Sequence, residues 1–282
     1  MARCLELGER QWVVDSWWGR GDGMTEAEWL TSTDPTTMMN YLRERASNRK
    51  KRLFAVACCR RLSHLVVETG WHNVLEITEQ YADGSVPSGI LDSALQQIAS
   101  IATALYDQTG DPQERYTPNL ILNGAYGAIY EAALRNPLTE TPVTEEASFM
   151  ATEGGFAGGT ARQAAGTVQT AAGVAAQDGN DAAPAIAAIA VRRTEECFQC
   201  QLVRDIFGNP FRRIALDPAW LTPKVKTLAQ AIYDDRSFER MPELADTLAE
   251  AGCSNPDILS HCRGPEPHVR GCWVVDLVLG KE

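Results

Sequence analysis

Apolar residues in this chain recur at intervals of three and four and in no stretch alternate, the rhythm of helices laid against one another rather than of a half-buried sheet. Between residues 47 and 67, Phe54, Cys58, Leu62 and Leu65 fall on one face. Between 88 and 106, Leu91, Leu95, Ile98, Ala102 and Leu105 do the same. The start and stop signals agree with this period. Thr25 stands three residues before Glu28, the spacing of a reciprocal cap; Asp34-Pro35, Thr222-Pro223 and Asn255-Pro256 open helices; Gly208-Asn209-Pro210 and Gly252 close them. The expected fold is all-α, an irregular multi-helix bundle.

Changes in composition divide the chain. Residues 1–23 have no clear period and read as an N-terminal extension ahead of a start at Met24. Residues 24–137 form an N-terminal helical part, with expected helices at 35–42, 47–67, 71–81, 88–106 and 118–134. Residues 138–184 turn to Ala, Gly, Thr and Gln, with a glycine cluster at 154–159 and a further helix at 161–177, and form a variable central segment. Residues 185–282 form a C-terminal helical module, with helices at 185–207, 223–233, 241–251, 256–262 and 267–279. Trp220 and Trp273 in this module read as core. The glycine cluster lacks the Gly-Lys-Ser/Thr ending of a phosphate loop and the preceding strand of a dinucleotide fingerprint, so it reads as linker.

The net charge of −11 opposes indiscriminate binding to nucleic acid or an anionic membrane. The apolar run at 182–191 is too short to cross a bilayer, and the first residues lack the apolar core of a secretory signal. Eight cysteines, with Cys58 and Cys59 adjacent, read as reduced thiols in a cytoplasmic protein rather than as a disulfide framework.

The pieces MTEAEWL, DPTTMMNYLRERASNRKKRLFAVACCRRLSHLV, RDIFGNPFRRIALDPAWLTPKV, LAQAIYDDRSFERMPELADTLAEAGC and HCRGPEPHVRGCWVVDLVLGKE resemble a paralogous family of planctomycete proteins with no established activity. The resemblance covers Met24 to Leu65 and Arg204 to Glu282. It implies a bacterial cytosolic origin, a start at Met24 and a centre free to vary, and it brings no catalytic residues.

Three constellations carry chemistry. Cys253, His261, Cys262, His268 and Cys272 lie within twenty residues, and Cys197 and Cys200 form a second thiol pair; thiolate and imidazole together suit zinc. On the expected helix 267–279, His268, Cys272 and Asp276 follow at intervals of four, the spacing of an activated thiol, and the turn at Arg263 and Gly264 beside them is the expected rim of a pocket. Between Arg43 and Arg61, eight basic residues face one acid, and Arg49, Lys50, Lys51, Arg52, Arg60 and Arg61 form a candidate nucleic-acid surface. Each has a plainer counterpart: buried thiols as small hydrophobes, a packed helix face, and a basic face paired with acids such as those between Asp234 and Glu250. No cofactor is expected on that plainer reading. The leading expectation is a helical module that binds a protein partner or itself, with a zinc- or thiol-dependent enzyme, and then nucleic-acid binding, as the alternatives.

Overall fold

A computed structural model describes residues 23–63, 69–108, 164–169, 183–265 and 267–281, and the described residues are helical with no strand among them. The expected helix at 118–134 and the glycine cluster at 154–159 lie outside the described residues, as do residues 1–22. In chain order the helices are α1 (Glu26–Thr31), α2 (Pro35–Leu42), α3 (Asn48–Arg60), α4 (Thr69–Ala82), α5 (Ser88–Gln108), α6 (164–169), α7 (Ala183–Phe207), α8 (Pro223–Asp235), α9 (Met241–Glu250), α10 (Pro256–Arg263) and α11 (Trp273–Leu279). None of them is long and apolar enough to cross a membrane.

The caps form as their residues dictate. Thr25 Oγ1 accepts from the Glu28 N–H at 3.2 Å while the Thr25 N–H donates to Glu28 Oε2 at 2.8 Å, so two N–H groups that α1 cannot satisfy internally are satisfied reciprocally. Asp34, Ser47, Thr222 and Asn255 cap α2, α3, α8 and α10 with a side-chain oxygen that accepts a first-turn N–H, and all but Ser47 precede a proline at the first helical position.

Two apolar cores result. The first gathers Trp29, Met38, Phe54, Cys58, Leu62, Trp71 and Leu75 from α1 to α4 and their connections around Cys200, Leu202, Val203 and Ile206 of α7. The second gathers Val225, Ile232, Met241, Leu244, Leu248, Ile258, Cys262, Val274 and Val278 from α8 to α11. The last turns of α7, assigned from sequence to the C-terminal module, therefore pack inside the N-terminal core. Trp29 shows how: its ring is wholly buried, a burial worth about 1.5–3 kcal/mol. Its Nε1–H reaches the Gly208 carbonyl at 3.1 Å, and its own carbonyl accepts from Arg204. α3, expected to show one apolar face, is buried on nearly every side from Arg52 to Cys59 because α4 and α7 flank it.

One expected helix is much shorter than its pattern. The sequence predicts helix over 267–279, but 267–272 runs as a loop and α11 begins at Trp273. The left-handed backbone of Gly271 breaks the period, and a Cβ there would sit 2.9 Å from the Leu53 side chain. Side-chain and main-chain groups of the loop are drawn instead to a carboxylate of α7.

Candidate metal centre

That carboxylate is Asp205, on the last turn of α7. Its Oδ2 accepts the Val269 N–H at 3.0 Å and its Oδ1 lies 2.7 Å from His268 Nδ1, both partners in the loop that replaces the expected helix. From α10, His261 brings Nε2 to 3.2 Å from Asp205 Oδ1 and 3.2 Å from the Cys272 thiol, which stands at the N-terminal end of α11. Two helices and the loop between α10 and α11 thus deliver one donor atom each from Asp205, His261, His268 and Cys272, and all of these atoms lie within 4.8 Å of one another. The Asp205, His268 and His261 side chains are 2%, 4% and 18% exposed, and Cys272 is fully buried. The two imidazole rings meet edge to face at 4.8 Å, and Trp273 packs on His261 at 5.1 Å.

The electrostatics follow from this enclosure. Burial pushes the Asp205 carboxyl up, but the contacts with His261 and His268 outweigh it and hold the group below the usual range. Burial pushes the Cys272 thiol well up, the neighbouring Asp205 adds to the rise, and the backbone N–H groups of Val275 and Val274 only partly oppose it. A nucleophilic thiol needs the reverse, together with an imidazole whose far nitrogen is steered by the acid. Here Asp205 and Cys272 both address the same nitrogen of His261, so the relay order of a thiol–imidazole–carboxylate set is not formed. Donors that converge on one point are arranged to surround something.

The residues singled out from sequence part company. His261, His268 and Cys272 come together; Asp276 does not join them. It turns to Arg49 Nη1 at 2.7 Å and Lys50 Nζ at 3.2 Å, because the helix that would have aligned it with His268 does not form. Cys262 and Cys253 lie in the second core, and burial raises the Cys262 thiol to about 12. Cys200 is buried in the first core with its thiol likewise raised by burial to about 12, while Cys197 is exposed, so the Cys197–Cys200 pair makes no common site. Arg263 reaches Asp246 at the surface and Gly264 ends α10. Asp205 was missed. Its only sequence signal is an acid flanked by Leu202, Val203 and Ile206 on an otherwise enclosed helix end.

The basic segment is not an open cationic face. Arg49 is bonded to Asp83, Asp276 and the Tyr233 hydroxyl; Lys50 to the carbonyls of Ile206 and Gly271; Lys51 to the carbonyl of Arg43. Arg52 is buried and stacks over Tyr81, Arg60 is paired with Glu79, and Arg61 with Glu195. The plainer reading of an acid-paired face fits, but the acids are Glu79, Asp83, Glu195 and Asp276 rather than the run from Asp234 to Glu250. Phosphate contact needs cationic groups turned to solvent; Arg49, Lys50 and Arg52 are turned inward, while Arg60 and Arg61 stay about a third exposed beside their acids.

Comparison with known protein families, with curated proteins and with solved structures finds no match to this chain. The resemblance drawn above stands on the quoted residues alone.

Proposed function

We propose that this chain is a zinc protein in which Asp205, His261, His268 and Cys272 bind one ion that fastens α7 to α10 and α11, and that its role is binding rather than catalysis. The observation carrying the reading is the convergence of four lone-pair donors, from α7, α10 and the loop that leads into α11, in an enclosure with no arginine or lysine among them. A tetrahedral zinc with bonds of about 2.0–2.3 Å to N, O and S has ligand–ligand edges of roughly 3.3–3.8 Å. The close separations of 2.7 and 3.2 Å lie below that range and no pair exceeds 4.8 Å, so small side-chain shifts would seat an ion. A soft thiolate and two imidazoles beside a single carboxylate suit zinc and not calcium or magnesium, which take oxygen ligands. Four protein ligands in a buried setting describe a closed, fold-stabilising site rather than an open catalytic one.

Self-association finds less support. The large apolar side chains exposed among the described residues are Leu30, Ile90, Ile189 and Phe211, each on a different element. Cobalt(II) titration of the metal-free chain tests the zinc reading. Intense visible bands of tetrahedral cobalt and a near-ultraviolet thiolate band are expected, with the latter lost in Cys272→Ser. Weak octahedral bands that Cys272→Ser leaves unchanged contradict the reading.

A further inference from the structure

Next to the metal cluster, and sharing His268 with it, lies a cavity of about 400 Å³ between α3, α7, the turn after α8 and the loop before α11. Its walls combine two chemistries. Leu53, Ala57, Phe198, Leu202 and Phe238 make an apolar side, and Arg60, Arg236 and Arg270 make a cationic one. These three guanidinium groups converge on only two carboxylates, Glu76 and Glu79, which leaves one positive charge in excess. Within that group Arg236 Nε and Arg270 Nε are buried with no hydrogen-bond partner. So is Nε2 of His268, a side chain only 4% exposed whose other nitrogen faces Asp205. Buried polar atoms are nearly always satisfied, and three unsatisfied ones on residues that line one cavity point to a group that belongs there. Arg236 adds a second sign. Among the described residues it is the sole non-glycine with a left-handed backbone, at φ 52°, a conformation that costs an L residue energy and is kept where a side chain must be placed.

We propose that this cavity binds a small organic oxyanion: a phosphate or carboxylate head on the Arg236, Arg270 and His268 side, and a ring or short apolar body against Phe198 and Phe238. Guanidinium groups suit the head because their planar fork matches two oxygens at once. A volume near 400 Å³ with mostly apolar walls and a few convergent polar groups is of the size and character of small-molecule sites. The excess charge supplies the sign of the ligand. The inference rests on the arginines and meets the zinc reading only at His268, so either can fail without the other.

Calorimetric titration of the full chain with phenyl phosphate, inorganic phosphate and phenol tests it, with the metal content of each sample measured alongside. Phenyl phosphate is expected to bind saturably at about one per chain, at least about tenfold more tightly than either phosphate or phenol, since head and body each contribute. Arg270→Lys and Arg236→Lys, which keep the charge but lose the fork, are each expected to weaken it about tenfold. Phe238→Ala is expected to narrow the gap between phenyl phosphate and phosphate. Phenol binding as tightly as phenyl phosphate would overturn the proposal without recourse to any variant. So would the lack of saturable binding by the folded wild type, or binding that both lysine variants leave unchanged.

Discussion

Two buried polar joints connect the N-terminal core to the C-terminal helices, and they are built on opposite principles. In the first, Arg49 and Lys50 of α3 meet Asp276 of α11 while Arg49 and the Tyr233 hydroxyl meet Asp83 at the end of α4. Lys281 Nζ lies 3.8 Å from Asp83 as a further cation, so each carboxylate has cationic partners; burial of the Tyr233 hydroxyl together with its bond to Asp83 pushes that group far up, so it stays a neutral donor. In the second, Asp205, His261, His268 and Cys272 offer lone pairs to each other with no arginine or lysine among them. An ion-paired joint is complete as a clamp. A joint made only of donors to a cation is complete when a cation fills it.

The largest effect that would break this contrast is metal removal. Chelation, or Asp205→Ala, is expected to lower the melting temperature by about 10 °C or more, since an ion held far above its Kd by the folded state alone stabilises that state by RT ln(1 + c/Kd), c being the free-ion concentration; calorimetry with and without chelator reads it. Asp276→Ala in the ion-paired joint is expected to cost about 3–5 kcal/mol, because Arg49 and Lys50 are left buried against one fewer carboxylate, and chelation should lower the melting temperature of that variant as much as it does that of the wild type. If the Asp276 variant instead loses its response to chelator, the two joints are one network. Arg236→Gly is expected to cost only about 1 kcal/mol by urea denaturation, because relief of the left-handed strain offsets part of the lost pairing with Glu76 and Glu79.

The smallest expected effect is in acid. Burial pushes the Glu76 carboxyl up, but Arg236, Arg270 and Arg60 outweigh it and hold it below its ordinary value of 4.5. A group whose folded pKa is depressed stabilises the protein above its unfolded pKa, and that stability fades as pH falls through the folded value. Glu76→Gln should therefore lose a little stability at pH 7 and show a shallower decline below about pH 4.5. Parallel acid limbs in wild type and variant would count against the arginine cluster as drawn.

Local chemistry was legible in advance wherever it is local. The Thr25–Glu28 box, the proline starts and the apolar period of residues 88–106 all predict elements that form, because each depends on residues within a turn or two of each other. The apolar period predicts helix over 267–272 although Pro265 stands just before it and Pro267 and Gly271 within it. What decides it is contact with Leu53 and Asp205, far away in the chain. The site shows the same limit. His261, His268 and Cys272 advertise themselves by residue type and proximity, whereas Asp205 lies more than fifty residues upstream and only packing brings it in. Asp276 was grouped with His268 and Cys272 on a helical period that Gly271 interrupts, and the fold gives it to Arg49.

Metal analysis of the natively purified chain, by plasma mass spectrometry after exhaustive dialysis, is the most direct measurement of the contrast between the two joints. The expected result is about one zinc per chain, falling to near zero in Cys272→Ser and Asp205→Ala and unchanged in Asp276→Ala. Wild-type protein that folds and melts cooperatively with no bound metal, and that acquires none from added zinc, would show the second joint to be a hydrogen-bonded cluster complete in itself.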